Sequence, residues 1–285
     1  MKNLLLEHMR WPEIRAAIDS GMDTVILYAA SIEQHGPHLP ENTDVVLGYA
    51  GAEDLARRLG SALVAPVIRP GLSLHHMALP GTVTLRPEVF EGLVQDHVAA
   101  YVQHGFKRIV LSSSHGGNFE TMSRLAASEG AHYRDQGITI VSGISLDDML
   151  ELLAELEVRE GLAPGTLGGH SDAWETSEML MLGNENVRQD LAEQGYMGGL
   201  LGGDADRMFH GGVVALSPNG IVGDARPSDP QRGARIFQAM QDAQEKGTVA
   251  YSVGYNIDML SVAPTAALTS AQNNWSVLYQ ATLEK

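Results

Sequence analysis

The chain has 285 residues, a length that suits one large α/β domain or two modest ones, and its 44% hydrophobic and 19% charged content is that of a globular protein with a buried core. Its net charge of −16, from 35 acidic residues against 19 Lys and Arg, sets the surface against phosphate backbones and anionic lipid; no basic cluster stands out, so neither nucleic acid nor membrane is an expected partner. Cysteine is absent, which excludes disulfides and thiolate chemistry and leaves His, Asp and Glu as the strong metal ligands.

The N-terminal MKNLLLEHMRWPEIR breaks its short apolar run at Glu7 and His8. That is no secretory signal, and no stretch approaches the roughly 18 apolar residues of a membrane span, so a cytoplasmic location is expected. Trp11 to Ser20 reads as a helix, with Pro12 in its first turn and Gly21 as a stop. Thr24 to Ala29 (TVILYA) is a short, β-rich buried strand. Val45 to Leu59 reads as a helix ending at Gly60, and Ala62 to Val67 as a second strand. Pro87 to Gly105 is helical, because Val89, Leu93, Val94, His97, Val98 and Tyr101 recur at helical spacing. It leads into a strand at Arg108 to Ser113, a helix from Phe119 to Gln136 and a strand at Ile138 to Val141. Helices at Trp174 to Leu182 and Gln231 to Lys246 flank a glycine-rich region, Gly195 to Gly223. Strands alternating with helices argue for a mainly parallel sheet covered on both faces. The expected organisation is one domain over residues 1–250, followed by an extension, 251–285, that packs on the body or on a neighbouring subunit.

Three segments carry candidate chemistry. Glu33 and His35 follow TVILYA directly, and residues two apart in extended chain point to one side, at the strand end where open α/β sheets place their sites. Asp44 opens the next helix, whose N-terminus favours an ionised carboxylate. The plain alternative is a surface Glu–His pair and a helix-supporting Asp. In SSSHGGNFE, His115 sits at a second strand end, and the Gly116, Gly117 and Asn118 backbone N–H groups are candidates for holding an oxyanion or a substrate acid. Here the alternative is a turn histidine with glycines for turn geometry. In GGHSDAWETSEML, His170 and Glu175 flank a helix start; Asp172 as N-cap with Glu175 three residues on also reads as a capping box, a role that competes with metal ligation. His76 either lines the pocket or is structural. Carboxylates and imidazoles of this kind suit zinc, manganese or iron(II).

The segment EQHGPHLPENTD resembles the signature of the creatininase (creatinine amidohydrolase) family, SHGGN its second motif and HSDAWETS its third. LPGTVTL and GIVGDARPSDPQRG are similar to two further motifs of that family, in the same order. The resemblance implies a three-layer α/β/α sandwich with a mainly parallel sheet. It also implies a centre of one or two divalent ions per subunit (Zn²⁺, Mn²⁺ or Fe²⁺) that cleaves a C–N bond of a small-molecule amide with a metal-activated water. By position, Glu33, His35, Asp44, His115 and Glu175 look like metal ligands, with Asp44 as the bridge. His170 and Glu175 take the catalytic proton-transfer roles, and His76, Gly116, Gly117, Asn118 and Trp174 line the substrate. The resemblance further implies a homo-oligomer, a hexamer in the family. Two departures count against creatinine as substrate: Gly117 stands where creatininase has a metal-ligating glutamate, and GLSLHHM lacks aromatic character. The resemblance also leaves room for a deformylase or peptidase of the same family, or for a non-catalytic relative.

Overall fold

The computed structural model describes residues 3–200 and 203–254. Four strands, β1 (Thr24–Ala29), β2 (Ala62–Val64), β3 (Arg108–Ser113) and β4 (Thr139–Ser142), form a parallel sheet in the order β2-β1-β3-β4. The strands are apolar runs because both faces are covered. Val25, Leu27, Ala29, Ile109 and Leu111 face α1 (Trp11–Asp19), α3 (Pro87–His104) and α4 (Phe119–Tyr133). Ile26, Tyr28 and Val110 face α2 (Thr43–Leu59) on the other side. The result is the three-layer α/β/α arrangement expected from the sequence. Burying the side chains of Phe90, Leu27 or Leu111 contributes about 1.5–3 kcal/mol each.

Several boundaries moved for physical reasons. Strand β2 stops at Val64, ahead of Pro66, which has no N–H for a sheet ladder. Helix α2 begins at Thr43, so Asp44 lies inside its first turn, and Gly60 closes it in the left-handed conformation (φ +72°). Helix α4 ends at Tyr133 in a single 3₁₀ turn.

Two helices went unanticipated. Helix α5 (Leu146–Glu160) opens on a capping box, in which the Ser145 hydroxyl accepts from Asp148 N–H and the Asp148 carboxylate accepts from Ser145 N–H. Its Met149, Leu150, Leu153 and Leu156 enter a second core with α6 (Ala173–Met181), α7 (Asp204–Gly211) and α8 (Pro230–Gly254). Helix α7 lies within the glycine-rich region. Of the extension expected from residue 251, only the last turn of α8 is described, and the remainder lies outside the described residues.

Strands β1 and β3 run in register to the same edge, Ala29 opposite Ser113. The segments that leave them, carrying Glu33–His35 and Ser114–His115, therefore emerge side by side. Bonds from the Ser113 hydroxyl to Ala29 O and from the Asn118 amide to Ala30 O tie them together.

Candidate metal centre

Five of the sequence-derived ligands converge. Glu33, His35, Asp44, His115 and Glu175 are each at most 4% exposed. His35 Nε2 lies 3.3 Å from Asp44 Oδ1 and 3.6 Å from Glu175 Oε2. His115 Nδ1 lies 3.2 Å from Glu33 Oε2 and 3.5 Å from Asp44 Oδ2. Asp44 thus presents one oxygen to each imidazole, as a bridging carboxylate does. Donors around a tetrahedral ion with bonds of about 2.1 Å stand about 3.4 Å apart, close to these separations.

The neighbouring contacts leave the facing atoms bare. His35 Nδ1–H donates to Glu33 O at 3.0 Å and His115 Nε2–H to Leu72 O at 3.1 Å, so His35 Nε2 and His115 Nδ1 point their lone pairs at the carboxylates. Both Glu33 oxygens, Asp44 Oδ2 and His35 Nε2 have no hydrogen-bond partner among the described residues. Buried polar atoms left in this way are costly unless a ligand completes them, and a divalent cation fits this donor set. Among the described residues, Glu33–His35–Asp44 and His35–His170–Glu175 also meet a simple distance criterion for holding an ion.

Without a metal, protons take over the compensating role. Burial disfavours the imidazolium of His35, but Asp44 and Glu175 outweigh it and raise His35 well above its ordinary value. Against the same burial, Glu33 holds His115 up at about 9. Burial raises Glu33, yet His115, His76 and His170 leave it well below the usual carboxylate range. Burial and then Glu33 push Asp44 up to about 6.

The capping box with Glu175 does not form. Asp172 is the N-cap of α6, accepting from Trp174 and Glu175 N–H, and its second oxygen accepts from Gly169 N–H. Glu175 does not reach back to the Asp172 N–H. It accepts instead from Ser171 N–H at 2.5 Å while still facing His35. The left-handed backbone of Ser171 (φ +55°) sits at this reversal, between His170 and the N-cap.

His170 Nε2 lies within hydrogen-bond distance of both the Gln34 amide Nε2, at 2.9 Å, and Gln34 O, at 3.0 Å, and its Nδ1 lies 3.6 Å from Glu33 Oε1. Burial holds His170 down at about 4, hence neutral. His76 is also buried beside Glu33, with its Nε2 3.4 Å from Glu33 Oε1. Its Nδ1 accepts from the Gln34 amide, whose orientation Gly36 N–H and Gly220 O fix. His76 Nε2 faces Glu33 Oε1 with no hydrogen bond between them, and Glu33, His76 and His170 are also spaced so that they could hold an ion.

The second-motif residues divide. Gly116 lines the cleft. At Gly117 a Cβ would lie 2.3 Å from Leu72 O and 2.7 Å from His115 Nε2, so no side chain, ligand or otherwise, fits there. Asn118 does not meet the expectation of a substrate contact: it is wholly buried, its side chain bonds Leu72 N–H and Ala30 O, and its N–H donates to His115 O. Trp174 lies on the cleft wall. The sequence reading missed Gln34, which joins His76 and His170, and His75, which stacks on His115 at 5.5 Å with Phe209 against its edge.

This centre can be compared with known proteins. The family model described as Creatininase: Creatinine amidohydrolase matches residues 7–246. The chain belongs to the creatininase family. It is 30% identical over 228 residues to a mycofactocin precursor peptide peptidase of Mycolicibacterium smegmatis, covering 78% of this chain and 83% of that protein. It is 27% identical over 241 residues to a 3-dehydro-scyllo-inosose hydrolase of Thermotoga maritima, covering 79% and 76%. Its fold superposes on a mutant creatininase with a TM-score of 0.70 at 26% identity, covering 85% of this chain and 96% of that one. These creatininase-family relatives are hydrolases, and this chain is a member distinct in sequence from creatininase itself. Among the described residues no helix is long and apolar enough to cross a membrane.

Proposed function

We propose that the protein is a metal-dependent amidohydrolase that cleaves a C–N bond, amide, lactam or formamide, of a small molecule. The observation that carries this reading is the set of bare, buried ligand atoms on Glu33, His35 and Asp44, facing one another at the C-terminal edge of the sheet. Glu33, Asp44 and His115 would hold one divalent ion, and His35, Asp44 and Glu175 a second. Zn²⁺ suits this donor set, and Mn²⁺ or Fe²⁺ are also accommodated. Such ions polarise a carbonyl oxygen and lower the pKa of water.

The chain's own groups supply the rest. The Glu33 and Leu72 carbonyl oxygens fix the His35 and His115 imidazoles, and the backbone of Gly36 and Gly220 fixes Gln34, which orients His170. Neutral His170, its Nδ1 beside Glu33, is placed to take up the proton released by the attacking water and pass it to the leaving nitrogen. The cluster borders a cleft of about 80 Å³ that Trp174 and Gly116 help to line.

Similarity to a peptide peptidase favours, as a second reading, an amide within a short or modified peptide. A homo-oligomer, implied by the family resemblance, and a cytoplasmic location are part of the proposal. The test is a panel of lactams, formamides, cyclic ureas and short peptides, assayed with Zn²⁺, Mn²⁺ and Fe²⁺. Turnover that chelation stops and Glu33→Gln abolishes is expected. Protein that purifies metal-free, with no activity that any of the metals restores, would contradict it.

A further inference from the structure

The cleft continues past the ligand cluster. Its far end lies between α2, α6 and α8, where Tyr28, Gly51, Glu178, Gln241 and Gln244 form the wall. This end is polar yet closed to water: Tyr28 is 3% exposed, Glu178 4% and Gln241 5%. Two acceptors there, Glu178 Oε1 and Gln241 Oε1, have no hydrogen-bond partner among the described residues. Among the described residues no Lys or Arg lines the cleft. Burial accordingly pushes the Glu178 carboxyl up to about 8. Gly51 keeps the end open, since a Cβ there would stand 3.3 Å from Gln241 Nε2 and 3.4 Å from the Tyr28 hydroxyl.

The groups left without partners identify the chemistry they await. A buried carboxyl without a counter-ion is among the most costly arrangements in a protein interior. An anionic ligand group would find no Lys or Arg in the wall to pair with, and an apolar one would leave both oxygens unpaired. An ammonium carries donors and no acceptor, and so completes them. The net charge of −16 draws cations toward the molecule.

We propose that this far end is a specificity subsite for a protonated amine of the substrate, with Glu178 as its ion partner and Gln241 Oε1 as a second acceptor. The inference rests on the amidohydrolase reading, because it has the scissile amide at the metal-ligand end while the amine lies at the other.

The test uses the full-length, metal-loaded protein and a homologous series of ω-aminoalkanohydroxamates. Each is paired with the alkanohydroxamate that has a methyl group in place of the ammonium, and calorimetry measures both affinities. The hydroxamate anchors on the metals and the chain reaches for the subsite. At one chain length the amine probe is expected to bind about tenfold more tightly or better. Glu178→Gln should erase that preference at unchanged metal content. Gly51→Ala, which narrows the end without touching Glu178, should weaken the amine probe at that chain length. Equal affinities throughout the series overturn the subsite, and a preference that survives Glu178→Gln overturns the role of Glu178. If neither probe binds metal-loaded protein, the metal-centre reading beneath the inference fails, a result distinct from equal binding.

Discussion

Gly117→Ala probes the closest packing in the centre. Gly117 does not adopt a left-handed backbone, so alanine meets no conformational penalty there and the effect is one of space. The added Cβ would overlap Leu72 O at 2.3 Å, press His115 Nε2 at 2.7 Å and reach His75 Cε1 at 3.0 Å. Two of these neighbours are themselves joined, since His115 Nε2–H donates to Leu72 O. Relief therefore requires the 71–77 segment or the His115 turn to move and that hydrogen bond to open. Overpacking of this kind costs about 1–3 kcal/mol, and the lost hydrogen bond about 1 kcal/mol. Together they predict about 2–4 kcal/mol, which for a domain of this size is a fall in Tm of roughly 4–16 °C. Scanning calorimetry of the metal-free protein measures it, with Gly92→Ala as the control. Gly92 lies within α3 with nothing within 4 Å of its would-be Cβ, so alanine should stabilise the helix by about 0.5–1 kcal/mol. A Gly117→Ala protein that melts with wild type and keeps its metal content would refute the argument from space.

Three further outcomes follow from the same geometry. Asp44→Asn should cost the protein both ions while Glu175→Gln costs only the one held by His35, as read by elemental analysis; equal loss in the two variants would show that Asp44 does not bridge. Chelation should lower Tm by several degrees, and stoichiometric metal should restore it, because bound ligand stabilises the folded state by mass action. The metal-free protein should lose stability as pH rises from about 6.5 to about 9. The folded-state pKa of His115 is raised to about 9, so its contribution is complete below its unfolded value and gone once the proton leaves. Glu178 and Asp172, each raised to about 8 by burial, act in the same direction. Parallel pH–Tm curves for metal-free and metal-loaded protein would contradict this, since bound metal replaces the His115 proton.

The parts of the fold legible in the sequence are those where local pattern and tertiary environment agree. Thr24–Ala29 and Arg108–Ser113 read as buried strands and are buried strands, because both faces of the sheet are covered. Helix α3 carries its period from Pro87 to the left-handed Gly105. Helix α5 has a capping box and a leucine repeat of its own, whereas α7 hides among glycines that cap and turn the chain around it. The candidate metal ligands were legible because they follow strand ends or open helices. Gln34, His75, Glu178 and Gln241 were not, since their roles arise from side chains brought together across distant segments. Gly117 shows the boundary best. In the sequence it is a missing ligand; in the structure the Leu72 carbonyl occupies the space a ligand would need.

Anomalous X-ray diffraction on metal-loaded crystals tests the central claim most directly. The account predicts two peaks, one enclosed by Glu33, Asp44 and His115 and the other by His35, Asp44 and Glu175. Density elsewhere, or none in protein that retains hydrolytic activity, would contradict it.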